Sequence, residues 1–192
     1  MASKKQDIVV SSARLFNREG YCAPGIDRIV EAAGVSKMTF YRHFPDKDAL
    51  IVNLLEEKLA FFLSGLNQEA AKYTTVKERL FCLFQFYHRW FNDPDFNGCM
   101  FTRAVAELGR NNERVIEINS RLKGGIIALF RDILATCLKP EPAERVAFIA
   151  MMLIDGAIAA AQSRGMETRE NPPALAAWMA LKVIIYSEGG RL

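Results

Sequence analysis

The side chains whose types and spacing could do chemistry are gathered in one short stretch of this 192-residue chain. They are Lys37, Met38, Thr39, Tyr41, Arg42 and His43, with Arg28 ahead of them and Lys47 behind. The chemistry they suit is recognition rather than bond-making. Ammonium, guanidinium, hydroxyl and imidazole groups crowded onto one surface can donate to phosphate oxygens and read base edges. Covalent chemistry is poorly supplied. The two histidines, His43 and His88, and the four cysteines, Cys22, Cys82, Cys99 and Cys137, are far apart and include no C-x-x-C pair. Paired carboxylates, a phosphate loop and metal-ligand spacing are all lacking, so no catalytic residue, cofactor or metal site is expected.

Two short helices and the start of a third must position that surface. The stretch IDRIVEAAGVSKMTFYRHFPDKDAL runs from Ile26 to Leu50. Ile26, Ile29, Val30 and Ala33 recur at helical spacing, and Gly34 supplies the positive φ that stops the helix. Ser36 is a suitable N-cap for a second helix over 37–44, on which Phe40 and Phe44 face inward together. The same geometry turns Met38, Thr39, Tyr41 and Arg42 outward. Pro45 closes that helix and Asp46 can cap the next, with Lys47 in its first turn. The pattern is a helix-turn-helix whose second helix suits a DNA groove. Spacing alone fits a structural helical corner equally well, and charge favours the DNA reading. Residues 1–45 hold seven Lys and Arg against four acids, and that excess equals the net +3 of the whole chain. A DNA-binding end requires such a concentration.

The segment GIDRIVEAAGVSKMTFYRHFPDKDAL resembles the N-terminal signature of the TetR (tetracycline-repressor-like) family of transcriptional regulators. The AAGVSK turn, the T-F-Y-x-H-F helix and the F-P-D-K-x-x-L exit match at the family's spacing over the first quarter of the chain. One departure is visible. Pro24-Gly25-Ile26 stand where the family usually has Thr at the head of the first motif helix, so a phosphate contact from that hydroxyl is lost or replaced. The resemblance and the residue types together give a DNA-binding set of Arg28, Ser36, Lys37, Met38, Thr39, Tyr41, Arg42, His43 and Lys47. The family places a phosphate contact at the position of Lys47, beside a helix N-terminus.

Strand signals are nearly absent and helical periodicities dominate, so the fold class is all-α. A three-helix DNA-binding head over 1–47 precedes a larger helical ligand-binding and dimerisation domain over 48–192. A first helix spans 4–19 and ends at Gly20. The helix from Ala49 to about Leu66 leaves the head. One from Thr74 or Thr75 to about Asn92 is apolar on nearly all sides, which marks a buried central helix. A short helix spans 99–108, and a long one spans 113–138, where Gly124 and Gly125 imply a kink or a close helix approach. Pro142 then starts a helix ending at Arg164 and Gly165, and Asn171-Pro172 caps a last one running to Glu188. The helices at 142–164 and 172–188 are apolar on more than one face, which is resolved if they pair with a second copy in a four-helix homodimer interface.

Aromatics crowd the middle of the chain, where the resemblance implies a pocket for a small hydrophobic or aromatic effector. The residues expected there are Phe62, Phe84, Tyr87, His88, Phe91 and Phe101, with Arg103 and Glu107 as further polar groups. Ordinary core packing is the competing account of each aromatic. Cys99 reads as a small apolar residue rather than a redox sensor. The expected function is a homodimeric repressor in the cytoplasm, released from a palindromic operator in double-stranded DNA when an effector tilts the helix from Ala49. The alternatives are a small-molecule enzyme or a helical adaptor using the same aromatic pocket. No membrane partner is expected, because the most apolar run, 147–154, is too short to span a bilayer.

Overall fold

The computed structural model describes residues 4–163 and 170–192 and is all-helical there. Nine helices are found among the described residues: α1 Lys4–Glu19, α2 Ile26–Ala33, α3 Lys37–His43, α4 Lys47–Ala71, α5 Val76–Phe91, α6 Met100–Leu108, α7 Glu113–Leu134, α8 Pro140–Gln162 and α9 Pro173–Ser187. They fall into two compact units. Residues 1–60 with 99–120 make the first, and 61–98 with 121–192 the second.

In the first unit α1 packs on α2 and α3. Ile8, Val9, Leu15 and Phe16 of α1 are buried with Ile29 of α2 and Phe40 of α3. Gly34 ends α2 at φ 62°, and the Val35 amide donates back to the Val30 carbonyl at 3.0 Å. A side chain at that φ would be strained, so the tight turn between α2 and α3 depends on glycine.

The loop from α1 to α2 is gripped by α6. The Glu107 carboxylate accepts the backbone amides of Tyr21 at 2.7 Å and Cys22 at 2.9 Å. Arg103, one turn earlier, donates its Nε to Glu107 at 2.7 Å and its Nη1 to the Asn17 carbonyl at 3.2 Å. The Tyr21 ring is buried and its hydroxyl donates to the Met100 carbonyl at 3.2 Å. Burial pushes the Tyr21 hydroxyl well above its ordinary pKa, with Cys99 and Glu107 adding to the rise, so it stays a donor. Burial acts to raise the Glu107 pKa too, but the Cys22 amide, the Arg103 guanidinium and the Tyr21 amide outweigh it and hold that carboxyl below its usual range. Gly20, at φ 84°, leaves room for this grip, since a Cβ there would lie 2.7 Å from both Arg103 Nη2 and Glu107 Oε1.

In the second unit α9 packs on α8 and α5. Phe84 sits between Phe130 and Trp178, with ring centroids 5.9 and 5.7 Å away. Gly125 lets α7 approach α4 closely, because a Cβ there would meet Leu63 Cδ1 at 2.7 Å. α7 runs unbroken through Gly124 and Gly125, and the close approach expected there is present at Gly125. α7 stops at Leu134 rather than Leu138, because 135–138 turn on bonds such as Cys137 N–H to the Leu134 carbonyl at 2.9 Å. α8 starts at Pro140, not Pro142, and the N-cap of α9 is Pro172 with no side-chain cap, so Asn171 does not cap it. The expected helix end at Arg164 and Gly165 lies outside the described residues.

Candidate nucleic-acid interface

α3 is only seven residues long and cannot be stable on propensity, so its ends and its anchor fix it. The Ser36 hydroxyl accepts the Thr39 amide at 3.1 Å and lies 3.0 Å from the Thr39 hydroxyl. Phe40 is wholly buried, flanked by Phe44 at 5.9 Å. With that side anchored, Lys37, Met38, Tyr41 and Arg42 are exposed, and Thr39 and His43 are half-buried. Met38 keeps 73% of its surface and Tyr41 52%, so two large apolar-bodied side chains stand largely in water on this helix. Tyr41 is oriented by an edge contact with Phe40 at 5.4 Å.

Three of the cations around α3 have partners within the head. Lys37 Nζ lies 2.6 Å from Asp27 of α2, and that carboxylate holds the ammonium above its ordinary pKa. Arg28 reaches Glu31 at 3.3 Å and Glu19 at 3.5 Å. These exposed pairs hold little free energy, so phosphates can replace the carboxylates readily. Lys47 is half-buried and donates Nζ to the Cys22 carbonyl at 3.2 Å, which ties the start of α4 to the loop before α2. Asp46 caps α4 by accepting the Ala49 amide at 2.7 Å. Asp27 stands in the first turn of α2, and its ion pair is with Lys37, one helix away. The nearness of Glu19 to Arg28 was not legible either, because no local spacing connects α1 to α2.

The residues expected around an effector are divided between the two units. Phe62, Tyr87 and Phe91 belong to one aromatic cluster of the second unit, with Phe86, Trp90 and Phe96. His88 is half-buried there, with Asn92 Nδ2 donating to its carbonyl at 2.7 Å. Phe84 lies instead between Phe130 and Trp178. Phe101, Arg103 and Glu107 belong to the first unit, the last two in the grip on the α1–α2 loop. Among the described residues there is no group of three or more His, Cys, Asp or Glu that could hold a metal ion, and no helix is long and apolar enough to cross a membrane.

Residues 8–54, from the middle of α1 through α3 into α4, match the model of the bacterial regulatory proteins of the tetR family. That segment carries the family's N-terminal domain. The members of that family are bacterial regulatory proteins. The chain is 31% identical over 77 residues to the HTH-type transcriptional activator FasR of Mycolicibacterium smegmatis, covering 40% of this chain and 35% of that protein. It is 27% identical over 122 residues to the fatty acid metabolism regulator protein of Bacillus subtilis, covering 63% and 61%. The matched part thus spans about a third of the first relative's length and less than two thirds of the second's. The tetR-family regulator SCO4454 of Streptomyces coelicolor has the same fold, with a TM-score of 0.87 at 22% identity over 96% of this chain and 95% of that one.

Proposed function

We propose that this chain is a homodimeric, tetR-family DNA-binding repressor whose hold on a palindromic operator is released by a small apolar or aromatic molecule. The observation that carries the DNA part is α3: a seven-residue helix capped by Ser36 and anchored on Phe40 that presents Lys37, Met38, Tyr41 and Arg42 to solvent. Arg42 and Lys37, with Met38 and Thr39, would meet base edges and nearby phosphates. Arg28, Ser36, Tyr41, His43 and Lys47 would hold the backbone.

The dimer part is supported by α8 and α9. Phe148 and Met152 on one and Met179, Val183 and Tyr186 on the other are more than half exposed, at helical spacings of three and four. Exposed large apolar side chains on two packed helices are an interface signal, and a two-fold pairing covers them with its own copy. Two recognition helices related by that axis would read an inverted repeat. The effector reading rests on Phe62, Tyr87, His88 and Phe91, where aromatic walls and a half-buried imidazole suit a planar or apolar guest. Phe84 is less suited, being packed on both sides, and Arg103 and Glu107 already satisfy each other. Effector binding would act by tilting α4, which starts beside α3. The cytoplasm follows from this role.

The deciding experiment mixes the protein with sheared genomic DNA of its source, recovers bound fragments at about 150 mM salt, where weak phosphate-only binding is suppressed, and sequences them. Enrichment of one inverted repeat supports the reading. Recovery of unselected fragments, or of none, would overturn it and return α2 and α3 to a structural corner.

A further inference from the structure

The head has a second basic feature, on α1 rather than α3. Ser11, Arg14, Leu15, Arg18 and Glu19 of α1 face Arg28 and Ala32 of α2 across an open cleft of about 210 Å³. Three guanidiniums line it, and these stay charged at any pH the protein meets. One acid, Glu19, lines it as well and is directed to Arg28. Arg14 and Arg18 are both exposed, and neither has an ion-pair partner among the described residues. Two exposed arginines with no acid paired to them leave the cleft with a positive potential that attracts an anion.

We propose that this cleft receives the phosphodiester backbone of DNA, outside the groove read by α3. The inference rests on the DNA-binding reading of the head and extends its contact surface to α1. Position supports it. The helix that supplies Arg28 and Ala32 to the cleft, α2, also carries Asp27, which holds Lys37 of α3. Spacing supports it too. Arg14 and Arg18 lie one helical turn apart, about 5–6 Å between Cβ atoms. A DNA strand presents a phosphate about every 3.4 Å of axis, so two such side chains can serve two phosphates of one strand. The planar fork of each guanidinium is suited to bidentate contact with phosphate oxygens.

The test is anisotropy of a fluorescein-labelled 40-bp duplex of random sequence, titrated with the full chain between about 25 and 150 mM salt. Arg14→Gln/Arg18→Gln should lower the slope of log affinity against log salt by about 0.9 for each phosphate lost, and the affinity at 100 mM salt about eightfold for each. Lys77→Gln/Arg110→Gln removes the same charge from exposed positions outside α1–α3 and should stay within about twofold of the parent. Equal losses in both doubles would reduce the effect to net charge and overturn the cleft. Parent-like binding by Arg14→Gln/Arg18→Gln, while Lys37→Gln/Arg42→Gln fails to bind, would also overturn it and leave the reading of α3 standing. If neither of those pairs alters binding, or the parent chain does not bind the duplex, both readings fall.

Discussion

Replacing Glu107 should loosen the loop that leads into α2 and α3. Its carboxylate accepts three donors at 2.7–2.9 Å: the Tyr21 amide, the Cys22 amide and Arg103 Nε. Hydrogen bonds to a charged group contribute about 1.5–3 kcal/mol each when desolvated. Two features lower that here. The side chain keeps 23% of its surface, and Cys22 is exposed, so its amide regains water when the carboxylate goes. Tyr21 is 1% exposed, and its amide has no such recourse. Glu107→Ala should therefore cost about 3 kcal/mol of local stability, and Glu107→Gln, which keeps one acceptor oxygen, about half of that. The order of the pair strengthens the case. Arg before Glu at i,i+4 is the weaker arrangement for a helix, so the pair is better explained by what it holds than by its support of α6. Native-state hydrogen exchange reads the effect where it occurs: the Tyr21 amide should exchange about 100-fold faster in Glu107→Ala. A change below threefold at Tyr21, in a variant that is otherwise folded, would refute the reasoning.

Acid should act through the same residue. The folded pKa of Glu107 lies below its ordinary 4.5, so the unfolded chain binds the proton more readily; this stabilisation is complete above that value and is lost as pH falls through the lower folded one. Glu107→Gln should accordingly flatten the fall in urea midpoint below about pH 4.5 relative to the parent. Ser36→Ala removes the cap that accepts the Thr39 amide and should cost about 1 kcal/mol, seen as faster amide exchange across α3. Phe148→Glu/Val183→Glu should shift the chain to monomer in sedimentation equilibrium while its helical circular dichroism is kept; a parent-like dimer would remove α8 and α9 as its interface.

Much of the head was legible because its determinants are local. Gly34, Ser36 and Phe40 act within four residues of the turn they shape, and each is found in its expected role. The ends of α7 and α8 were harder. A proline suits a helix's first turn, where its missing N–H costs nothing, and Pro140 and Pro142 meet that condition equally. What the sequence concealed is the placement of Arg103 and Glu107. Their spacing shows that they share a face of α6, but their partners, Asn17, Tyr21 and Cys22, lie about 85 residues earlier, and no periodicity encodes that pairing. Arg14 and Arg18 were hidden in the same way. On α1 they read as a solvated polar face, and only the approach of Arg28 from α2 turns them into one wall of a cleft.

The hold of α6 on residues 17–22 bears on how the chain can be made. A ribosome delivers α1, α2 and α3 early, and they can begin to pack at once. The carboxylate that receives the Tyr21 and Cys22 amides is Glu107, which follows Leu50 by more than fifty residues. At the usual pace of translation that interval is roughly 3–11 seconds. For that time the nascent helix-turn-helix has its recognition surface but not its closing contacts, so the early product can carry the charges for DNA before it has the rigidity to choose among sequences. Slow codons between these points would lengthen that interval without altering the finished protein.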